Sequence, residues 1–364
     1  MRPEFSRTYD DARRKFLEAA MLCRSEILTN RYPQTGPNGE DLYTDVVRIG
    51  SSRPDRILIV ISGTHGVEGF CGSACQTEYL KSECAARIGE QTAIYLVHGL
   101  NPYGFSWLRR VTHENVDLNR NFVEFENRSL PQNSGYATLF GVLNPLTREP
   151  ETLDEPDPNI KAWFASPEKI AAFKAAVGKG QYDYPHGIIF GGTSATWCNR
   201  VLRDFVAALP RTVKHGAVLD FHTGLGERGG LEIFCEDKPD STEFRRCAEW
   251  YAGHTVTSLG DAASVGYEIT GSIFQAFTRS QRSIQWTCAD LEFGTENLVK
   301  VLLALQADNW LHCFSQGVSP LAPRIQEMMR ASFSPEANEW QAIVLQTGTS
   351  IIRQALTALN DLRL

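Results

Sequence analysis

The sequence has no excess of positive charge: 36 Lys and Arg stand against 43 Asp and Glu, a formal net charge of -7 over 364 residues. Proteins that track nucleic-acid phosphates gather Lys and Arg on one face, so this balance argues against a nucleic-acid partner and for a small-molecule or peptide substrate. Long apolar runs are also missing. None approaches the roughly 18 uninterrupted apolar residues of a membrane-spanning helix, so no membrane partner is expected. The opening Met1-Arg2-Pro3-Glu4-Phe5-Ser6-Arg7 leads into no apolar stretch with a small-residue cleavage site and does not read as a secretory signal. Cysteine is present but not organised. Nine residues, an odd number without paired spacing, predict buried reduced thiols rather than a disulfide framework, and with them a cytoplasmic protein. Internal repeats and low-complexity tracts are lacking too. What is present, 42% hydrophobic and 22% charged residues, suffices for a substantial core. A single domain over residues 1–364 is expected, with a core of about residues 50–315 and helical elements over about 316–364.

Short β-branched runs alternate with longer helical patterns, which predicts an α/β fold built on a largely parallel sheet. Four runs end in polar chemistry. Arg56 to Ile61 leads to Ser62-Gly63-Thr64-His65, and Thr92 to Val97 leads to His98-Gly99-Leu100-Asn101-Pro102. Ala217 to Phe221 leads to His222-Thr223-Gly224, and Ser283 to Leu291 leads to Glu292-Phe293-Gly294. Ligands of open α/β sheets bind outside the C-terminal strand ends, so these residues are expected to converge there. Helical patterns cover roughly residues 7–28, 69–82, 167–177, 196–209, 241–257, 296–315 and 336–360. The third has the clearest start, with Ser166 as N-cap and Pro167 and Glu168 in its first turn. Residues from about Glu124 to Asn159 show little periodicity and read as a long surface excursion able to wall a cleft.

His65 and Glu68 place an imidazole and a carboxylate three residues apart just beyond a strand, among glycines that permit a tight turn. Catalytic zinc takes three protein ligands and keeps a position for water, and a His-Glu-His set is one established combination. His222 suits the third place: it too ends an apolar strand, has Asp220 two residues away to accept its outer N–H and precedes the flexible Thr223-Gly224-Leu225-Gly226. Taken alone, a His and a Glu at this spacing more often mark a surface turn. Cys71 and Cys75 are a rival pair, but their spacing on a helix favours small buried thiols.

The most specific segment follows the second strand: Asn101-Pro102, Arg109-Arg110, then Asn119-Arg120-Asn121-Phe122. An Asn-Arg pair can clamp a carboxylate, the guanidinium as a bidentate fork and the amide as a further donor. A second Arg can stabilise the oxyanion formed when water attacks a carbonyl. In this order, the His65-Gly66-Val67-Glu68 motif, the Asn101 to Phe122 run, His222 and Glu292 resemble the zinc carboxypeptidase superfamily. The chain looks most like a bacterial branch of it known by a domain-of-unknown-function label. Asn133-Ser134-Gly135-Tyr136, Phe190-Gly191-Gly192-Thr193, His222-Thr223-Gly224-Leu225-Gly226, Leu291-Glu292-Phe293-Gly294-Thr295 and Asp308-Asn309-Trp310-Leu311-His312 carry that closer likeness.

The resemblance implies a three-layer α/β/α sandwich with one zinc ion held by His65, Glu68 and His222. It implies Glu292 as general base, Arg110 as the oxyanion residue, and Asn119 with Arg120 as carboxylate anchors. Arg109 competes with Arg110 for the oxyanion, and Tyr267 is a candidate for the aromatic that closes over substrate. His98 reads as support for its strand end, while His113, His186, His215, His254 and His312 have no ligand spacing. The activity implied is hydrolysis of an amide bond in a peptide bearing a free carboxylate. The alternatives are deacylation of an N-acyl amino acid, as in the related succinylglutamate desuccinylase and aspartoacylase group, and metal binding without turnover.

Overall fold

Every residue of the run Arg56–Ile61 after the first is buried, a state a strand reaches only with layers packed on both faces. This run is the third strand of eight. They are β1 (Glu26–Thr35), β2 (Asp41–Gly50), β3 (Arg56–Ile61), β4 (Thr92–His98), β5 (His215–Gly224), β6 (Leu231–Cys235), β7 (Thr255–Ser258) and β8 (Gln285–Gly294). They form one sheet in the order β1-β2-β4-β3-β5-β8-β6-β7. The central strands β4, β3, β5 and β8 are parallel, whereas β2 joins β4, and β6 joins β8, antiparallel. The computed structural model describes residues 1–23, 25–83, 88–126, 130–145, 153, 158–163, 166–258 and 269–362.

Helices α1 (Tyr9–Leu22) and α2 (Gly69–Glu83) cover one face together with α8 (Thr242–Trp250) and α12 (Asn338–Asp361). Phe16, Cys75, Cys247 and Ile352 meet Val60, Leu219 and Leu291 there in one apolar cluster. On the other face, α3 (Pro102–Ser106), α7 (Trp197–Ala207) and α9 (Gln275–Thr278) bring Phe105, Leu202 and Phe277 onto Ile59, Val218 and Trp286. This is the mixed, largely parallel α/β/α sandwich the sequence predicted. Five helices gather elsewhere: α4 (Ser134–Leu143), α5 (Pro158–Trp163) and α6 (Pro167–Gly178) share a smaller apolar cluster, and α10 (Leu298–Cys313) packs on α11 (Ala322–Phe333). Ser166 caps α6 as expected, its side chain accepting the Lys169 N–H.

Some expected boundaries are overturned. The helix expected over residues 7–28 stops at Leu22, and Glu26 to Leu28 belong to β1, a strand whose exposed edge position leaves no apolar alternation to read. The helix expected over 241–257 ends at Trp250. The chain passes Gly253 at φ +99°, a left-handed conformation that suits glycine, and then enters β7. The excursion from Glu124 to Asn159 is not merely loop: it contains α4, whose Tyr136 and Leu139 pack with Phe173 of α6. The C-terminal helix α12 is sheet cover, with Val344 and Ile352 fully buried in the main core. Among the described cysteines, Cys71, Cys75, Cys198, Cys235, Cys247, Cys288 and Cys313 are free, but Cys23 departs from the expected reduced state and is disulfide-bonded. No described helix is long and apolar enough to cross a membrane.

Candidate metal centre

Because β4, β3, β5 and β8 run parallel, their C-terminal ends share one edge, and the chain leaves β3 toward β4 while β5 lies on the other side. Such a reversal opens a crevice. Past β3 the chain makes a single 3-10 turn, Gly66–Glu68, with His65 at its start. A Cβ on Gly66 would lie 2.0 Å from the Gly104 carbonyl carbon, so only glycine lets this turn rest on α3. The turn carries His65 and Glu68 toward β5, where His222 stands in register with Glu292 of β8.

The ligand atoms of His65, Glu68 and His222 lie within 4.8 Å of one another, and all three residues are buried. Nδ1 of His65 is 3.1 Å from Glu68 Oε1, and Nδ1 of His222 is 3.2 Å from Glu68 Oε2. The two Nδ1 atoms are 3.1 Å apart. Each imidazole is backed by carboxylate on its other nitrogen: Asp117 Oδ1 lies 3.1 Å from His65 Nε2, and Asp220 Oδ2 2.9 Å from His222 Nε2. Asp290 Oδ1 adds a third contact, 3.2 Å from His222 Nε2. A carboxylate accepting the Nε2 proton leaves the Nδ1 lone pair aimed inward, the arrangement that orients metal-ligating histidines. Asp220, His222 and Asp290 are themselves close enough to share an ion. Both aspartates meet the histidine at Nε2, however, so they orient it instead.

This field calls for a cation. Burial alone would depress the His222 pKa, yet the Asp220 and Asp290 carboxylates hold it well above its ordinary value. Burial would raise Glu68, yet the two imidazoles hold it far below the usual carboxylate range. Glu68 also accepts the Thr223 N–H at 3.0 Å. Two inward nitrogens and one carboxylate are the donor set of a three-ligand zinc site, so the residues present fit that ion.

The adjacent arginines part company. Arg109 is 2% exposed and turns away to Asp308 of α10, Nε to Oδ2 3.1 Å, and to Asn115. Arg110 faces the cluster: its Nη1 is bound to Asp117 Oδ2 and its Nε lies 3.5 Å from Glu68 Oε1. Of the pair, Arg110 alone lines the cleft. Glu292 keeps partial exposure there and accepts the Leu225 N–H at 2.9 Å. Burial of its carboxyl and the charge of Glu68 push its pKa up to about 8. Perturbation of that size beside candidate ligands is typical of groups that move protons.

Asn119 and Arg120 reach the same place from the other side. With Arg110, Glu292 and both histidines they line a narrow cavity of about 50 Å³. Asn119 Oδ1 accepts the Ile273 N–H at 2.9 Å, which fixes the amide. Tyr267 lies outside the described residues. Two residues without an assigned sequence role prove central to the geometry, Asp117 and Asp290. Asp117 sat inside the specific segment, and its signal was a carboxylate two residues before the Asn-Arg pair. Asp290 shares the strand face of Glu292, a period-2 relation already present in the sequence.

A family profile described as protein of unknown function (DUF2817) matches residues 5–347. No curated protein matches the chain in sequence. Among solved structures, carboxypeptidase A from Helicoverpa armigera has a TM-score of 0.50 at 13% identity, covering 97% of this chain and 74% of its own. A metallo-carboxypeptidase from Burkholderia cenocepacia gives 0.47 at 10%, with 96% and 68% covered. A protein from Shewanella amazonensis, assigned to the succinylglutamate desuccinylase/aspartoacylase family, gives 0.36 at 15%, with 80% and 73% covered. At these identities the likeness is one of fold: the chain shares the carboxypeptidase-like α/β fold.

Proposed function

We propose, for a chain that belongs to the DUF2817 family of proteins of unknown function, a zinc-dependent amide-bond hydrolase whose substrate carries a free carboxylate. The observation that supports it most is the convergence of His65, Glu68 and His222 within 4.8 Å, with a carboxylate behind each imidazole. These three residues would hold the ion. When bound, zinc supplies a Lewis acid for the scissile carbonyl and a water of lowered pKa.

The chain's own residues supply the rest. Glu292 takes a proton from the attacking water and returns it to the departing amine. Arg110, steered by Asp117, donates to the oxygen that becomes negative as the carbonyl is attacked. Asn119 and Arg120 bind the substrate carboxylate, which sets the distance from that anchor to the bond cut. A peptide and an N-acyl amino acid both satisfy this geometry.

The test is metal analysis of the purified protein beside assays with C-terminal peptides and N-acyl amino acids. Stoichiometric zinc and hydrolysis of either set are expected. Absence of zinc sinks the reading, and zinc without hydrolysis of either set would leave a binding protein.

A further inference from the structure

A second and larger cavity, about 360 Å³, opens from the same cluster. It shares His65, Arg110, His222, Leu225 and Glu292 with the narrow one but not Asn119 or Arg120. The two therefore adjoin at the candidate metal, and a substrate anchored by Asn119 and Arg120 in the narrow cavity has the wide one left for its acyl fragment. The walls of the wide cavity come from two apolar clusters. Leu225, Val301 and Phe333 belong to one, Phe173, Ile188 and Leu302 to the other.

Its polar side chains are engaged with the protein. Asn115 donates to the Pro185 and Gly187 carbonyls, Asp308 is paired with Arg109, and Asn309 donates to the His186 carbonyl. Asn297 caps α10 and Glu296 pairs with Lys300. A peptide extended along these walls would bury N–H and C=O groups with few partners, and each one left unsatisfied is costly. A hydrocarbon chain has no such groups.

We infer that the substrate is an N-acyl amino acid whose acyl group is an extended apolar chain seated in this wide cavity. The inference rests on the amide-hydrolase reading for its chemistry. Water's oxygen bonds to the acyl carbon, the C–N bond breaks and the amine takes the proton, releasing a free fatty acid and an amino acid. The cavity itself can be tested without turnover.

The probes are N-acylglycines from acetyl to dodecanoyl. Burying one methylene contributes ~0.8 kcal/mol, or roughly fourfold in affinity. Calorimetric titration of the zinc-loaded Glu292→Gln protein should show Kd tightening by about that factor per methylene until the cavity is full. In wild type, kcat/KM should rise in parallel to the same break. Val177→Trp, which fills part of the wall contributed by α6, should move the break to shorter chains. A Kd indifferent to chain length overturns the inference, as does tighter binding of blocked peptides than of acylglycines of equal length. Chain-length-dependent binding with no hydrolysis of any probe would keep the acyl cavity and remove the hydrolase reading instead. The wild-type series decides even where the tryptophan variant does not fold.

Discussion

His98 ends β4 much as His65 follows β3 and His222 lies near the end of β5, along the same edge of the sheet, yet its surroundings are different in kind. Its ring stacks on Phe16 at 4.4 Å, Ser73 Oγ lies 2.9 Å from Nε2, and Nδ1 has no hydrogen-bond partner among the described residues. The acid whose charge acts on it, Asp45, is held by Arg13 at 2.6 Å. Burial lowers the His98 pKa to about 4, whereas the carboxylates around His222 raise its pKa. Strand-end position alone does not make a metal ligand. What separates the cases is an acid free to take the Nε2 proton and a third donor facing Nδ1.

The largest break in that contrast should come from Glu68→Ala, which removes the shared third donor. Zinc is expected to fall from about one ion per chain to near none by atomic spectroscopy, and retention of stoichiometric metal would refute the ligand set. Glu292→Gln separates holding the ion from using it. Its zinc content should stay at wild-type level while kcat on an accepted substrate drops by ~10²–10⁴. Asp117→Asn leaves His65 in place but weakens the acceptor behind it, so zinc affinity measured against a competing chelator should fall ~10–100-fold. Arg109→Ala strands the buried Asp308 and should lower unfolding free energy by ~3–5 kcal/mol in urea titration, while Arg110→Ala should show its loss in kcat instead.

The smallest effect on the candidate metal site belongs to His98→Gln, with zinc content unchanged. It should nevertheless alter acid stability. Since the folded pKa is about 4 and the unfolded value near 6.5, the unfolded chain takes up its proton first on acidification. Stability contributed by neutral His98 is thus full above about pH 6.5 and declines as pH falls toward about 4, by ~3 kcal/mol in all. Denaturation curves from pH 7 to 4 should be flatter for the variant by that amount, and identical slopes would show that His98 is not buried neutral.

The central sheet could be read from sequence because β3, β4, β5 and β8 are buried on both faces and so appear as continuous apolar runs. The edges could not. In β1 nine of ten residues escape full burial, and β7 is four residues long, so neither shows a period. The excursion after Glu124 hid α4 because that helix packs on its own small cluster with α6 instead of on the sheet, leaving no long amphipathic stripe.

For the candidate site the division falls between near and far. His65 and Glu68 share one turn, and three residues of chain order are enough to bring them together, just as a strand end announces His222 and Glu292. Chain order could not choose between Arg109 and Arg110, because neighbouring residues point to different sides and only the packing of α10, with Asp308 at hand, draws one of them away. Nor could it assign Asp117 to His65 or Asp290 to His222, or place an apolar cavity against a charged one across the same centre. Those pairings join segments separated by tens to hundreds of residues, and strand register and helix packing are what bring them within hydrogen-bond reach.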